Sequence, residues 1–387
     1  MGLDCGERVR NARKRSGLTQ SELAERCPDV SLSQLRAIER GEYNPRQYAL
    51  RQMAVALRVR TSTLADGGDA EYADVETEAA WTSVRRALIG QFPEADSPAS
   101  VIGVRTDLES LRGMLGTHRY GEVAARLPGL LRDTDDIDGQ GRTIRSRVLN
   151  LTGWMLTQCR QFDLAEATLD RAIDASEDRM DAGAAANTLV WVLLRQGKIA
   201  QARDTAIRWA DEIEPRFSRA TTAELSVWGR MWLYVANCSL RDNATGDAED
   251  AMNLARAASA RIGQEVYTDA STVRTFGPIT VAHIAAEGYA LEGRAALALS
   301  IAEQTPVATL QPVAASRLRH RLDVASAHSQ LGQYGEAMAV LQRTWSDAPE
   351  WLVQQRYARD VMSSIITKRR TLTPEMRDLA DKIRLEY

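Results

Sequence analysis

The 387-residue sequence is poor in the residues on which catalysis and metal binding depend. Its four histidines (His118, His283, His320 and His328) include no His-Glu-x-x-His pair. Its four cysteines (Cys5, Cys27, Cys159 and Cys238) show no Cys-x-x-Cys spacing. Neither a zinc site nor a disulfide framework is indicated. There is no Gly-x-x-x-x-Gly-Lys-Ser/Thr phosphate loop and no Gly-x-Ser-x-Gly elbow, so the chain is expected to be no enzyme and to use no cofactor. No apolar run approaches the ~18 residues of a membrane span, and the first residues lack a signal peptide's apolar core. A cytoplasmic protein without membrane contact is expected. Lysine is also scarce, 4 against 45 arginines, which reflects a GC-rich genome rather than a function.

What is present is unevenly distributed. The net charge of −3 divides into +4 for residues 1–66 (12 Lys and Arg against 8 Asp and Glu) and −7 for residues 67–387 (37 against 44). A small basic head on a larger acidic body suggests a nucleic-acid module joined to something else.

In the head, apolar residues recur at helical spacing in short segments separated by turn signals. One helix runs over about 6–16 and ends at Gly17. Thr19 with Glu22 forms a capping box for a second helix over 19–27. Ser31 caps a third, which ends near Gly41; a fourth runs over 46–57, and a short fifth lies around Thr63 and Leu64. Val9, Leu18, Leu23, Ala24, Val30, Leu35, Ile38, Leu50, Met53, Ala54, Leu57 and Leu64 are the expected core.

Four blocks stand in order over about 60 residues: Gly17-Leu18-Thr19-Gln20-x-Glu22-Leu23-Ala24, Val30-Ser31-x-Ser33-x-Leu35, Ile38-Glu39-Arg40-Gly41-x-x-x-Pro45 and Met53-Ala54-x-Ala56-Leu57. Together they resemble the Xre/phage-repressor helix-turn-helix family. The resemblance implies that the third helix enters the major groove and the second spans the phosphate backbone. Leu35 and Ile38 face the core, leaving Leu32, Ser33, Gln34, Arg36, Ala37 and Arg40 outward, with Ser31 at the helix start. Gln34 suits adenine, Arg36 suits guanine O6 and N7, and Leu32 offers apolar contact to a thymine methyl. Gln20 matches the family's phosphate-binding glutamine, and Asn44 and Arg46 reach phosphate or the minor groove. Arg13 and Glu39 match the family's structural ion pair between the first and third helices.

Residues 67–100 read as a linker and connecting helix: the stretch 66–79 is the linker, a helix follows over 75–89, and a Pro-containing loop spans 92–100. From 101 to 387 no strand pattern appears, and the chain becomes Ala-rich helix pairs. Turns resembling the tetratricopeptide (TPR) pattern occur at 117–122, 160–165, 196–202, 292–298 and 330–337, with one more near 243–251. An all-α fold is expected: a five-helix head followed by an α-solenoid of TPR-like helix pairs, closed by a helix from Thr373 to about Tyr387.

In that register Asn150 aligns with Asn187 and Trp154 with Trp191, and Trp228 and Trp232 fall on the next inner helix. The same register places Arg105, Arg112, Arg147, His283, Glu287 and Arg319 inward. Asparagine amides can hold a peptide backbone, tryptophans form apolar walls and arginines grip carboxylates. Arg112, Arg147, Asn150, Trp154, Asn187, Trp191, Trp228, Trp232 and His283 are the candidate ligand set, although aromatic residues at helical spacing also serve as core fillers. The architecture is similar to that of peptide-sensing quorum regulators. It implies a homodimeric transcription regulator that binds a palindromic operator in double-stranded DNA and senses a peptide or small-molecule effector. The alternative is a regulator whose body is a scaffold for a partner protein, with no small effector.

Overall fold

The computed structural model describes residues 4–65, 81–95, 98–137, 142–267, 274–305, 314–368 and 371–385. Five helices form the head: α1 (Cys5–Arg15), α2 (Gln20–Glu25), α3 (Leu32–Glu39), α4 (Gln47–Leu57) and α5 (Thr61–Leu64). The capping box at Thr19 is formed. Ser31 makes a second one, its hydroxyl accepting from the Gln34 amide while the Gln34 side chain accepts from the Ser31 amide. Each satisfies amides that a helix start leaves unpaired. The expected core is buried as one cluster, except that Leu18 and Ala24 are only partly covered.

The linker at 66–79 lies outside the described residues. Of the connecting helix expected over 75–89, the described residues hold α6 (Thr82–Leu88), with Trp81 at its start. Six helix pairs follow: α7 (Val101–Gly116) with α8 (Tyr120–Asp136), α9 (Arg142–Gln158) with α10 (Phe162–Ala175), and α11 (Arg179–Arg195) with α12 (Ile199–Glu212). Then come α13 (Thr222–Arg241) with α14 (Thr245–Ile262), α15 (Pro278–Leu291) with α16 (Ala295–Gln304), and α17 (Ala314–Gln330) with α18 (Tyr334–Asp347). The chain finishes with α19 (Pro349–Val353), α20 (Arg356–Thr367) and α21 (Pro374–Lys382). Helix α6 packs on α8, and its Trp81, Val84 and Leu88 join the body's core.

All six pairs turn in the same way. His118, Arg160, Gly197, Asn243, Gly293 and Gly332 each take positive φ, and each stands two residues before its pair's second helix. At every turn the following amide reaches back five residues to a carbonyl, as in Arg119 to Met114, Gln161 to Leu156 and Lys198 to Leu193. This Schellman geometry caps the last carbonyls of the inner helix and reverses the chain. The second helices therefore start 42, 37, 46, 50 and 39 residues apart.

The inner helices α7, α9, α11, α13, α15 and α17 pack in that order, and α17 packs back on α7. The Gly121 amide donates to Glu350 at 3.2 Å and Arg195 donates to Gln355 at 3.2 Å, so the first pairs meet the last. The solenoid is a closed ring.

Two expectations differ. A two-stranded antiparallel hairpin, β1 (Val266–Tyr267) and β2 (Thr275–Phe276), joins α14 to α15. Strands of two residues are too short to show alternation in sequence. Phe276 is buried against Gly229, where any Cβ would come within 2.2 Å of its ring. The last helix stops at Lys382 rather than near Tyr387, because Arg384 turns left-handed and the Leu385 amide caps the Ala380 carbonyl.

Candidate nucleic-acid interface and inner ring

Helix α3 presents Ser33, Gln34, Arg36 and Arg40 to solvent, with Ser31 exposed at its start and Leu32 half-buried. The helix is held from behind by Arg13. Its Nε and Nη2 donate to the two oxygens of Glu39 at 2.6 and 2.8 Å, and both residues are buried. Burial disfavours the Glu39 charge. Hydrogen bonds from Arg13 and Gln20 and the charges of Arg13 and Arg10 outweigh it, holding the carboxyl below its usual range.

Several expected DNA contacts are engaged within the protein. Gln20 donates to Glu39 at 2.8 Å, Gln34 accepts from Ser31 at 3.0 Å, and Arg40 is paired with Glu42 at 2.6 Å. Asn44 and Arg46 are both exposed, and Arg46 donates to Asp360 on α20 at 2.9 Å. Arg36 is the exposed α3 cation that the helix's own caps leave out.

The head sits against the turn end of the ring. Arg51 donates to the Leu240 and Leu291 carbonyls at 3.3 and 2.7 Å, covering the C-terminal ends of two inner helices. Cations are favoured at such ends. Buried Asp242 accepts from the Ser62 amide at 2.8 Å, from Arg60 at 3.3 Å and from Arg203 at 3.1 Å. Asn243 donates to the Val59 carbonyl.

The expected ligand set lies on the successive inner helices α7, α9, α11, α13 and α15, each member engaged in contacts within the protein. Asn150 accepts from Thr188, and Asn187 donates to the Val227 carbonyl, so each bridges successive inner helices. Arg147 pairs with buried Asp181 at 2.9 Å. Arg112 pairs with Glu109 and lies 5.5 Å from the Tyr267 ring. Trp154 is buried and stacks on half-buried Trp191 at 6.3 Å. Trp228 and Trp232 meet edge to face at 6.0 Å. Of the additional inward arginines, Arg105 is exposed and Arg319 donates to Glu287.

Sequence reasoning missed the opposite side of α13. Arg230, Tyr234, Asn237 and Arg241 recur at helical spacing about 200° around the helix from Trp228. That stripe was legible, but the register of the neighbouring pairs pointed to the tryptophans. Asn237 and Arg241 donate to Glu287 at 3.1 and 2.6 Å. The His283 ring stacks on His320 at 3.9 Å. Burial pushes these imidazoles down to about 3 and about 4, so both are neutral at pH 7. Burial and the Glu287 charge push the Asp323 carboxyl well up. Arg274, just before β2, covers the Trp191 ring at 4.8 Å and the Tyr234 ring at 5.6 Å. The inner helices thus carry a belt of arginines, aromatics, carboxyl groups and neutral imidazoles.

Among the described residues there is no cluster of metal-ligand spacing, and no helix is long and apolar enough to cross a membrane. No curated protein matches the chain. Two solved structures are similar in outline. PlcR of Bacillus thuringiensis, in complex with the peptide PapR7 and DNA, is 11% identical over 88% of this chain and 99% of its own, with a TM-score of 0.33. ComR from S.thermophilus, in complex with DNA and its signalling peptide ComS, is 12% identical over 89% and 99%, with a TM-score of 0.27. Residues 9–64 match the family described as Helix-turn-helix. The chain therefore carries an N-terminal helix-turn-helix domain of the Xre type, built from α1–α5.

Proposed function

We propose that the protein is a DNA-binding transcription regulator whose helical ring senses a peptide or small-molecule effector and alters operator binding. The observation that carries the reading is α3, which turns Ser33, Gln34, Arg36 and Arg40 outward from a scaffold locked by Arg13 and Glu39. A domain of about 60 residues makes few base contacts, so a homodimer reading two half-sites about 34 Å apart supplies the remaining specificity. The head rests on the ends of α13 and α15, the helices that carry Arg230, Tyr234, His283 and Glu287. A change in ring curvature would shift the head, and a coupling of about 1–3 kcal/mol would be enough for switching. The test is recovery of genomic DNA bound by the purified full chain, followed by gel-shift titration with peptides and metabolites from the same cells. Absence of any preferred sequence would overturn the reading.

A second reading makes the body a scaffold for a partner protein. It is favoured by a shallow, charged cleft on α12 lined by Asp204, Arg208, Asp211 and Glu212. The buried aromatic and arginine belt of the inner ring favours the effector. Operator affinity that responds to no small compound but shifts with a co-purifying protein would select the scaffold.

A further inference from the structure

Helix α3 opens on a closed set of hydrogen bonds that decides what its first outward side chain can offer. The Gln34 side-chain oxygen, Oε1, accepts from the Ser31 amide at 3.0 Å and from the Ser31 hydroxyl at 3.1 Å. The Ser31 hydroxyl oxygen accepts in turn from the Gln34 backbone amide at 3.2 Å. A backbone N–H can only donate, so the side-chain amide of Gln34 is held with its oxygen toward Ser31 and its nitrogen away from it. Both lone pairs of the oxygen are then taken. What remains of this exposed side chain is an NH2 group, a donor with no acceptor beside it.

A glutamine that reads adenine needs both halves of its amide: the oxygen accepts from N6 while the nitrogen donates to N7. Turning the Gln34 oxygen toward a base would strip the Ser31 amide of its acceptor at a helix start, where no intrahelical partner exists. Guanine asks only for donors, because O6 and N7 both accept. Adenine beside the same NH2 group would set its own N6 donors against it. Arg36, two residues on and also exposed, is likewise a donor without acceptor capacity. The first residues of a recognition helix are those that meet base edges.

We propose that the capping box makes Gln34 a donor-only, specificity-determining residue that selects guanine at its position of the operator and rejects adenine. Ser31 acts through Gln34 as a positioning residue. The proposal rests on the DNA-binding reading and gives the operator one of its bases.

Selection of bound duplexes from a randomised library by the full chain, followed by fluorescence anisotropy on the enriched sequence with single-base replacements, tests it. Gln34→Ala is expected to level the four bases at one position and to keep the preferences elsewhere, which loss of a cap alone cannot do. At that position the native chain is expected to prefer guanine, with adenine binding about tenfold more weakly. Replacement of that guanine by 7-deazaguanine, which lacks the N7 acceptor, should weaken the native chain and leave Gln34→Ala unchanged. A base other than guanine at the Gln34-dependent position, no position altered in Gln34→Ala, or equal effects of 7-deazaguanine on both proteins would overturn the proposal. If Gln34→Ala does not fold, Gln34→Glu takes its place, since it keeps the cap and removes the donors. Loss of the guanine preference there supports the proposal, and an unchanged preference overturns it. An enriched motif in which Gln34 plays no part leaves the regulator reading standing, whereas a library without any enriched sequence sinks both.

Discussion

Arg46 and Asp360 are 314 positions apart in the chain and 2.9 Å apart in space. The ion pair ties the residue after the helix-turn-helix turn to α20 at the far end of the body. A side chain suited to phosphate is therefore held by the protein's own carboxylate. Exposed pairs contribute about 0–1 kcal/mol. Asp360→Asn should raise DNA affinity by up to about fivefold, and Arg46→Ala should lower it. Fluorescence anisotropy with an operator duplex checks both, and identical affinities in all three proteins would show that the pair does not compete with DNA.

Gln34 has two jobs that one substitution can separate. Glutamate at this position keeps the capping box with Ser31 but cannot donate to a purine N7. Gln34→Glu should preserve the melting temperature and cost about 1–3 kcal/mol in specific binding. Arg36→Ala should cost a similar amount at one guanine position. Footprints unchanged in both variants would remove α3 from the role of reader.

Asp242, held within the ring by Arg203, joins it to the head through Ser62 and Arg60. Asp242→Ala leaves the buried end of that contact without its acceptor and should cost about 3 kcal/mol in stability. Hydrogen exchange of the full chain should then accelerate at α5 before the inner helices. Uniform acceleration would place the effect in the ring instead.

Glu39→Ala leaves Arg13 buried without its partner and should destabilise the head by about 3–5 kcal/mol, read by urea denaturation. Because folding lowers the Glu39 carboxyl, its contribution is complete above the unfolded value of ~4.3 and fades as pH falls through the folded one. Glu39→Gln should flatten the stability profile of the head in that acid range.

His283 and His320 act at a higher pH. Their folded values, about 3 and about 4, lie below the unfolded ~6.5, so the unfolded chain binds more protons between these limits. Stability contributed by the neutral pair is complete above pH ~6.5 and declines as pH falls toward 4. His283→Phe keeps an aromatic ring for stacking and should make the loss of melting temperature from pH 7 to pH 4 shallower. An unchanged slope would assign the acid sensitivity to other groups.

The local grammar was legible in the amino acids themselves. Thr19 with Glu22, Ser31 and Pro374 mark helix starts because caps depend on residues three positions apart. The six turns were legible because each is a short glycine- or aromatic-anchored signal, and all six take the same left-handed geometry. The Arg13–Glu39 pair came with the family's blocks. What only the tertiary structure decided is which partners each side of an inner helix meets. On α13, Trp228 meets Trp232 while Asn237 and Arg241 on the other side meet Glu287, and that orientation is set by packing accumulated over successive pairs rather than by α13 alone. Closure of α17 on α7, the docking of Arg51 on Leu240 and Leu291, and the meeting of Arg274 with Trp191 likewise depend on the curvature of the whole ring. Short-range hydrogen bonds write themselves into sequence, whereas contacts across a closed superhelix are sums of small rotations that no single motif records.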